Sequence, residues 1–476
     1  MNRKFFCLLF LLPAWFSVKA QEKWDLRKCI EYAVTNNISV KQQDVQARLT
    51  ALTYNQSKLS QYPSLTLNGN TSFNSGRNQD PVNFGLITES YLSSGYNLQS
   101  GVEIFNWSSK RNNIAGNKLE TEAAFAGVEK LKNDIALNVA GVYLQALLAR
   151  QQVSVSEIQI QQTKAQLDNT TKLVRAGSLP ELNAVQLEAQ LANDSSNLVT
   201  AQGNVAQSLL LLKAYLNLDA STPFDIATPN VESIPLDDLG SLQPDIVYEL
   251  ALKNLPQQRV NDFRIKAAEK FVESARGQMY PTFSLFGSLS SRYNSRARQV
   301  TGVSSSTPPI ATVSVGGTPY SVYPLKPIDS YSYGDITYFS QLNQNFSKAV
   351  GISLSVPIAN GGQLKTGYAR SQLNLRGLQL QRDLDNQTLR NDIYKAYTDV
   401  LTSLQKFNAA TKTVEANQKA FDFATKRYNA GLLNTIDLIT TQNNLFSARL
   451  QRLLAQYDYV FKMKVLEFYK GQGLKL

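Results

Sequence analysis

The sequence predicts a mixed α+β membrane chain, built by internal duplication, in which very long coiled-coil helices adjoin strands of a transmembrane β-barrel. Three observations carry this. A helix-turn-helix is written twice, as "TKLVRAGSLPELNAVQLEAQL" from Thr171 and "TKRYNAGLLNTIDLITTQNNL" from Thr425, with the turn glycines Gly177 and Gly431 254 residues apart. Apolar residues recur every seven positions over stretches far longer than an ordinary globular helix. Between the helices the period drops to two, in segments of roughly ten residues, the length of a barrel strand.

Residues 1–20 read as an export signal. Arg3 and Lys4 form the charged start, residues 5–16 the apolar stretch, and Val18-Lys19-Ala20 a small-residue cleavage site. The apolar stretch is too short to span a bilayer as a helix, and Cys7 lies inside it, which does not fit a lipoprotein. Loss of Arg3, Lys4 and Lys19 lowers the formal charge from +11 to +8. No dense Lys/Arg run with interleaved aromatics occurs, so a nucleic-acid partner is not expected. The chain has no histidine, and of its two cysteines only Cys29 stays in an exported chain. A Ser-His-Asp or Cys-His nucleophile, an imidazole metal site and an intrachain disulfide are thereby excluded. Asp237-Asp238 sits in a proline-rich linker and reads as solvated surface, and no phosphate-binding glycine loop is present. The expectation is a protein that is not an enzyme, with no metal and no cofactor.

The elements follow in order. Residues 21–61 read as a helix, 62–107 as a β-hairpin, and 108–216 as a long helix, a turn and a return helix. A linker rich in Pro, Asp and Ser covers 217–243. The second half repeats the order: a helix at 244–280, a β-hairpin with a long loop at 281–358, and a long helix, turn, return helix and C-terminus at 359–476. Ala33 matches Ala251, and Tyr62-Pro63 matches Tyr280-Pro281, at a shift of 218. The shift grows to 254 later because the second half carries about 36 more residues between its strands. The long helices, 108–176 and 362–430, hold no proline, and at 1.5 Å per residue each extends about 100 Å. Val139, Ala146, Val153, Ile160, Leu167 and Val174 form the heptad seam of the first; Ile393, Val400, Phe407, Val414, Phe421 and Tyr428 form that of the second. The second seam position runs Ile135, Val142, Ala149, Ser156, Thr163, Thr170. Gly177 and Gly431 suit the left-handed position that ends a helix. Ser178-Leu179-Pro180-Glu181 reads as a capping box opening the return helix at 180–216; Asn434 to Asp437 has the same spacing, with weaker residues, before the helix at 434–469.

"SLTLNGNTSF", "YNLQSGVEIF", "FSLFGSLS" and "FSKAVGISLSV" alternate apolar with small polar residues. Each would be apolar on one face, as in a transmembrane barrel or in a half-buried sheet of a soluble core. Tyr62, Trp107, Tyr280 and Phe346 stand at the strand ends, where aromatics mark a membrane interface. With an export signal and no spanning helix, the set favours a membrane barrel in contact with lipid. Four strands cannot close a barrel and an open edge cannot sit in lipid, so the chain must oligomerise. Two copies give eight strands and a filled interior; three give twelve and room for a lumen.

The two Ala-Gly turns, the junctions "GVEIFNWSSKRNNI" and "GISLSVPIANGGQLKTGY", the opening "WDLRKCIEYAVTNN" and the duplicated order of elements together resemble the TolC family of outer-membrane efflux proteins. The resemblance covers essentially the whole exported chain. It implies a homotrimer with four strands per chain, whose transmembrane β-barrel continues as a long α-helical barrel through the periplasm. It also implies a location in the outer membrane, a periplasmic adaptor (membrane fusion protein) and an inner-membrane pump of RND or ABC type as partners, and an exit duct as function. The tips Arg175, Ala176, Gly177, Ser178, Leu179 and Asn429, Ala430, Gly431, Leu432, Leu433 would then meet the adaptor.

That family closes its tunnel with aspartate rings and a tyrosine-arginine network. Carried onto "RYNAGLLNTIDLITTQ", the tyrosine falls on Tyr428 and one aspartate on Asp437; the arginine position holds Leu433 and the second aspartate position Thr440. Tyr428, Asp437 and Thr440 are therefore the pore-constriction candidates. Asp437 also lies where a carboxylate caps a helix, and Tyr428 also continues the heptad seam. The loop near 294–345, rich in Ser, Thr, Tyr, Pro and Gly, reads as a long extracellular loop that either folds over the mouth of the barrel or is simply mobile; mobility is the expectation. The competing reading is a secreted structural coiled-coil or adhesin without a pore, which would need no amphipathic strands.

Overall fold

The computed structural model describes residues 23–79, 84–229 and 234–471. The signal segment 1–20 lies outside the described residues. In chain order the elements are α1 (Leu26–Asn36), α2 (Ile38–Leu59), β1 (Ser64–Gln79), β2 (Leu86–Phe105), α3 (Ser109–Arg175), α4 (Leu182–Leu216), a 3-10 turn (Leu239–Leu242), α5 (Pro244–Asn254), α6 (Pro256–Gly277), β3 (Thr282–Asn294), β4 (Arg298–Ser306), β5 (Ala311–Val315), β6 (Thr318–Val322), β7 (Ile328–Asp335), α7 (Tyr338–Gln344), β8 (Ser347–Ser355), α8 (Gln363–Asn429) and α9 (Thr435–Tyr469). They divide into a helical unit (Met1–Ala51, Lys118–Ala267, Leu375–Leu476) and a strand-bearing unit (Leu52–Asn117, Ala268–Asn374). Among the described residues no helix is long and apolar enough to cross a membrane.

The long helices end within a residue of the sequence expectation. α3 and α8 each run 67 residues, and α4 and α9 each run 35. The segments 21–61 and 244–280 do not form single helices. Each breaks at the same repeat position, and by different chemistry. Asn37 is extended (φ −60°, ψ 131°); its amide Nδ2 donates to Tyr215 O at 3.0 Å and its Oδ1 accepts from Ser39 N at 2.9 Å. Leu255, 218 positions later, is extended because Pro256 follows and disfavours the α region before it.

Burial in α3 changes character along its length. Val139 and Ala146 are buried in the core with Cys29, Ala33, Leu212 and Leu216. Toward the turn, Val153, Ile160, Leu167 and Val174 are half-buried, and Ser156, Thr163 and Thr170 of the second seam take the most buried places. Burial pushes the Cys29 thiol up to about 12, leaving it protonated and inert at neutral pH. In the second half, Ile393, Ala396 and Val400 pack with Val247, Ala251, Met463 and Leu466.

The described parts of the linker, 217–229 and 234–243, are tied to the helices at particular points. Trp24 and Ile226 form a parallel bridge, Ala227 N donates to Trp24 O at 2.8 Å, and Arg150 holds Ile226 O at 2.9 Å while pairing with Asp225. Tyr143 donates to Ala227 O at 2.8 Å. Asp237, expected on solvated surface, pairs with Lys470 at 2.8 Å, and its N–H donates to Glu467. Asp238 caps the 3-10 turn through Gly240 N.

In the strand-bearing unit β1, β2, β3 and β8 form one antiparallel sheet in that order, with β1 and β8 as its edges. β1 and β2 are longer than expected, 16 and 20 residues, because their pairing runs unbroken from Ser64↔Gly101 to Gln79↔Leu86. The register puts Leu65, Leu67, Phe73, Leu98, Leu289, Val350, Ile352 and Leu354 on one face. The opposite face carries Thr66, Asn68, Asn97, Gln99, Ser288 and Ser353, with Phe286 among them and, farther along β2, Tyr91 and Ile87. Gly351 makes room for that phenyl: a Cβ there would lie 2.7 Å from Phe286 Cζ. The segment expected as a mobile loop holds two ribbons, β4–β7 and β5–β6, and the helix α7. Backbone pairing of Val- and Tyr-rich stretches across the Gly316-Gly317 turn accounts for the inner ribbon.

Candidate functional site

The two turns are superimposable in their hydrogen bonding. Gly177 (φ +74°) donates to Val174 O and Ser178 N to Leu173 O, both at 2.9 Å. At an offset of 254, Gly431 (φ +73°) donates to Tyr428 O and Leu432 N to Arg427 O, both at 2.9 Å. This pair of bonds closes a helix C-terminus through a left-handed residue, which only glycine adopts without strain. The helices that follow are capped differently. The capping box expected at Ser178 does not form, because Ser178 N–H is committed to Leu173 O, and the residue before α4, Glu181, makes no side-chain cap bond. Asn434, which stands where the first repeat has Pro180, does cap: its Oδ1 accepts from Asp437 N at 2.8 Å, and its Nδ2 donates to Asp437 Oδ2 at 2.8 Å. Pro180 has no side-chain acceptor to offer.

The tip leucines separate into two classes. Leu179 and Leu433, expected among the tip residues that meet the adaptor, are half-buried against Phe421, Ala424, Tyr428, Leu438 and Leu445. They fold inward because the turn reverses the chain onto the helix faces that bear those residues. Leu432 stays 69% exposed. Leu182 and Ile436, equivalent positions of the two repeats that the sequence reading passed over, are also exposed. Arg175, Ala176, Ser178, Asn429 and Ala430 are exposed.

Of the constriction candidates, Asp437 and Thr440 are exposed on the first turns of α9. Thr440 donates to Ile436 O at 2.8 Å. Tyr428 is buried within the chain, its hydroxyl 2.9 Å from Thr170 Oγ1 and 3.4 Å from Thr435 Oγ1. Its environment matches the seam reading of the heptad: it joins α8 to α3. A polar seam continues from there. Thr163 donates to Asp194 Oδ2 at 2.6 Å and accepts from Gln442 Nε2 at 2.8 Å, and Gln190 and Asn443 exchange bonds at 3.0 and 3.2 Å. The Thr163–Gln442 and Gln190–Asn443 bonds join the first helical hairpin to the second, beside the apolar contact of Leu179. The heptad pattern placed Thr163 and Thr170 on a seam; nothing local in the sequence marks Asp194 or Gln442 as their partners.

At the strand ends, Trp107 Nε1 donates to Pro281 O at 2.8 Å, and the Trp107 ring lies 5.1 Å from Tyr280 and 5.2 Å from Phe105. Tyr62 precedes β1 at the same end of the sheet and is exposed. Phe346 lies at the opposite end, before β8, with Lys348 Nζ 5.3 Å from its ring. The same opposite end carries aromatics not singled out from sequence: the Tyr338 ring lies tilted against Tyr293 with centroids 4.6 Å apart, and its hydroxyl is 2.9 Å from that of Tyr96.

Comparison with known proteins gives a consistent result. A family model described as outer membrane efflux protein matches residues 29–218 and 247–471. The outer membrane protein TolC of Escherichia coli (strain K12) is 22% identical over 412 residues, 85% of this chain and 74% of that protein. The outer membrane efflux protein BepC of Brucella suis biovar 1 is 21% identical over 392 residues, 82% of this chain and 73% of that protein. Among solved structures, CusC, described for the conformational changes accompanying its folding and transmembrane channel formation, superposes with a TM-score of 0.76 at 16% identity over 99% of each chain. That likeness is one of fold.

Proposed function

Because this chain belongs to the outer membrane efflux protein family, we propose that three copies of it form the exit duct of a tripartite export system, fed by an inner-membrane pump through a periplasmic adaptor. The protein is an outer-membrane efflux channel of mixed α+β, duplicated fold. The observation that carries the trimer is the sheet: four strands, apolar on one face and polar on the other, ending in the unpaired edges β1 and β8. In lipid such edges must be paired by further copies, and twelve strands leave a lumen. The apolar face meets lipid, with Tyr62, Trp107, Tyr280 and Phe346 at its borders; the Asn, Ser, Thr and Gln face meets water. The channel is passive: it offers a polar path, and the pump supplies the energy. Single-channel conductance in planar bilayers, with native mass spectrometry of the detergent-extracted protein, tests this. A monomer without conductance sinks it and restores the adhesin reading.

The adaptor docks on the tips. Six matching turns in a ring, two per protomer, would present exposed Leu432, Ile436 and Leu182, apolar surface that a partner buries. Three Asp437 carboxylates form one ring at the closed end, with Thr440 one turn further along the helix. They repel one another and attract cations. Leu433 cannot neutralise them, since it is apolar and turned into its own cluster. Tyr428 acts behind the constriction, as a link between hairpins. A trivalent cation added on the periplasmic side should block wild type and lose that block in Asp437→Ala. Equal block in both proteins would mean that Asp437 serves only its helix cap.

A further inference from the structure

The segment between β3 and β8 carries apolar surface that the sheet does not cover. In the outer ribbon, β4–β7, Val300 pairs with Tyr333 and Val303 with Tyr331, across an irregularity between Val300 and Gly302 that keeps both valines on the tyrosine face. In the inner ribbon, β5–β6, Val313 pairs with Tyr320 and Ala311 with Val322. Serines occupy the other faces, at Ser304, Ser330, Ser332, Ser314 and Ser321. Val303, Val313, Val315, Tyr320 and Tyr331 are each about half exposed or more, from 49% to 62%. A two-stranded ribbon with an uncovered apolar face is marginal in water and needs a surface to pack on.

The base of this segment is fixed. Gln341 of α7 is buried; its Oε1 accepts from Asn294 N at 3.0 Å and its Nε2 donates to Asn294 O at 2.9 Å. Ser291 donates to Leu342 O and Asn345 to Arg292 O. The ribbons therefore leave the sheet from an anchored root, at the end away from the strand–helix junctions.

We infer that the two ribbons pack, apolar face to apolar face, on the same ribbons of neighbouring copies of this chain and form a collar over the outer mouth of the pore. Position favours a second copy as the occupant. The segment emerges from the β3–β8 hairpin, and β8 is a free edge that lipid forces to pair with the β1 edge of another copy. Each segment thus stands at a seam between copies. Reach agrees: the eight paired positions of β4–β7 extend about 25 Å. A twelve-stranded barrel, with strands about 4.8 Å apart and tilted roughly 40°, is roughly 24 Å across, so ribbons from three walls meet at the axis. Charge lies at the two ends of that face: Arg298 pairs with Asp335 at the root and Asp329 stands beyond Val303 and Tyr331, leaving the valine–tyrosine centre apolar. The inference rests on the trimer proposed above.

The test is cross-linking of the full-length channel in a Cys29→Ala background. Val303→Cys and Val313→Cys, treated with a bis-maleimide of about 10 Å reach, should give covalent dimers and trimers on a denaturing gel. Ser314→Cys, on the opposite face, should give at least fivefold less. Replacing residues 298–335 by a short Gly-Ser turn should leave the trimer intact in native mass spectrometry and raise single-channel conductance at least twofold. An intact trimer with no cross-links at Val303 and Val313, or with unchanged conductance after the replacement, overturns the collar and leaves the trimer standing. A monomeric untreated protein overturns both.

Discussion

The inter-repeat linker is held by a buried ion pair whose removal has a calculable effect. Lys464 and Glu467, 2.8 Å apart and one turn apart on α9, are 3% and 4% exposed. Lys464 Nζ also donates to Pro235 O at 2.5 Å, and Glu467 Oε1 accepts from Asp237 N at 2.8 Å, so the pair grips the linker at two backbone points. Glu467→Ala removes the carboxylate and leaves a buried ammonium beside carbonyl dipoles. Breaking a buried pair in this way costs about 3–5 kcal/mol. At about 1.4 kcal/mol per tenfold, local opening of the linker becomes roughly 100- to 4000-fold more frequent. Replacing both residues, Lys464→Met with Glu467→Leu, removes both desolvated charges and keeps apolar volume, so opening should return to within about tenfold of wild type. Limited proteolysis at low protease reads the population of the opened linker directly. Cleavage within 217–243 should accelerate at least a hundredfold in the single variant and far less in the double. Equal rates in the two variants would refute the argument that a buried charge deprived of Glu467, rather than lost linker contacts, sets the cost.

Three further outcomes follow from the geometry. Gly431→Ala meets no atom within 4 Å and should cost only the left-handed backbone, about 1 kcal/mol, whereas Gly431→Pro cannot adopt φ +73° and loses the bond to Tyr428 O; export should persist in the first and fail in the second, with outer-membrane yield similar in both. Burial raises the Glu120 carboxyl above its usual range, against a smaller opposing pull from Arg264, so the folded state holds the proton to higher pH than the unfolded state does. Its stabilising contribution is complete below about pH 4.5, the unperturbed value, and is lost as pH rises through the raised one; Glu120→Gln should melt above wild type at pH 7, and the gap should close at pH 4. Phe286→Ser removes a phenyl ring from the polar face of the sheet and should raise conductance with little change in melting, while unchanged conductance would place that ring away from the water path.

Much of the chain is written in local rules. Proline-free stretches bounded by Gly177 and Gly431 marked the ends of α3 and α8 to within a residue, since both helix propagation and the left-handed stop are set by the residues themselves. Alternation with period two likewise assigned Leu65, Leu67, Val350 and Ile352 to one face, whatever sheet they join. Local signals failed wherever one backbone group had two possible partners. Ser178 N–H could serve a capping box or the preceding turn, and the turn took it. Asn37 could continue a helix or break it, and Tyr215 O, nearly 180 residues away in sequence, is one of the partners that holds the break. The candidate site divides the same way. The turns and the exposed place of Asp437 follow from local sequence, but the burial of Tyr428 against Thr170, the Asp194–Thr163–Gln442 seam and the Lys464–Glu467 grip do not. A polar side chain looks the same in sequence whether it faces water or a neighbour. Only the docking of one helix on another removes the water and leaves that neighbour as its partner.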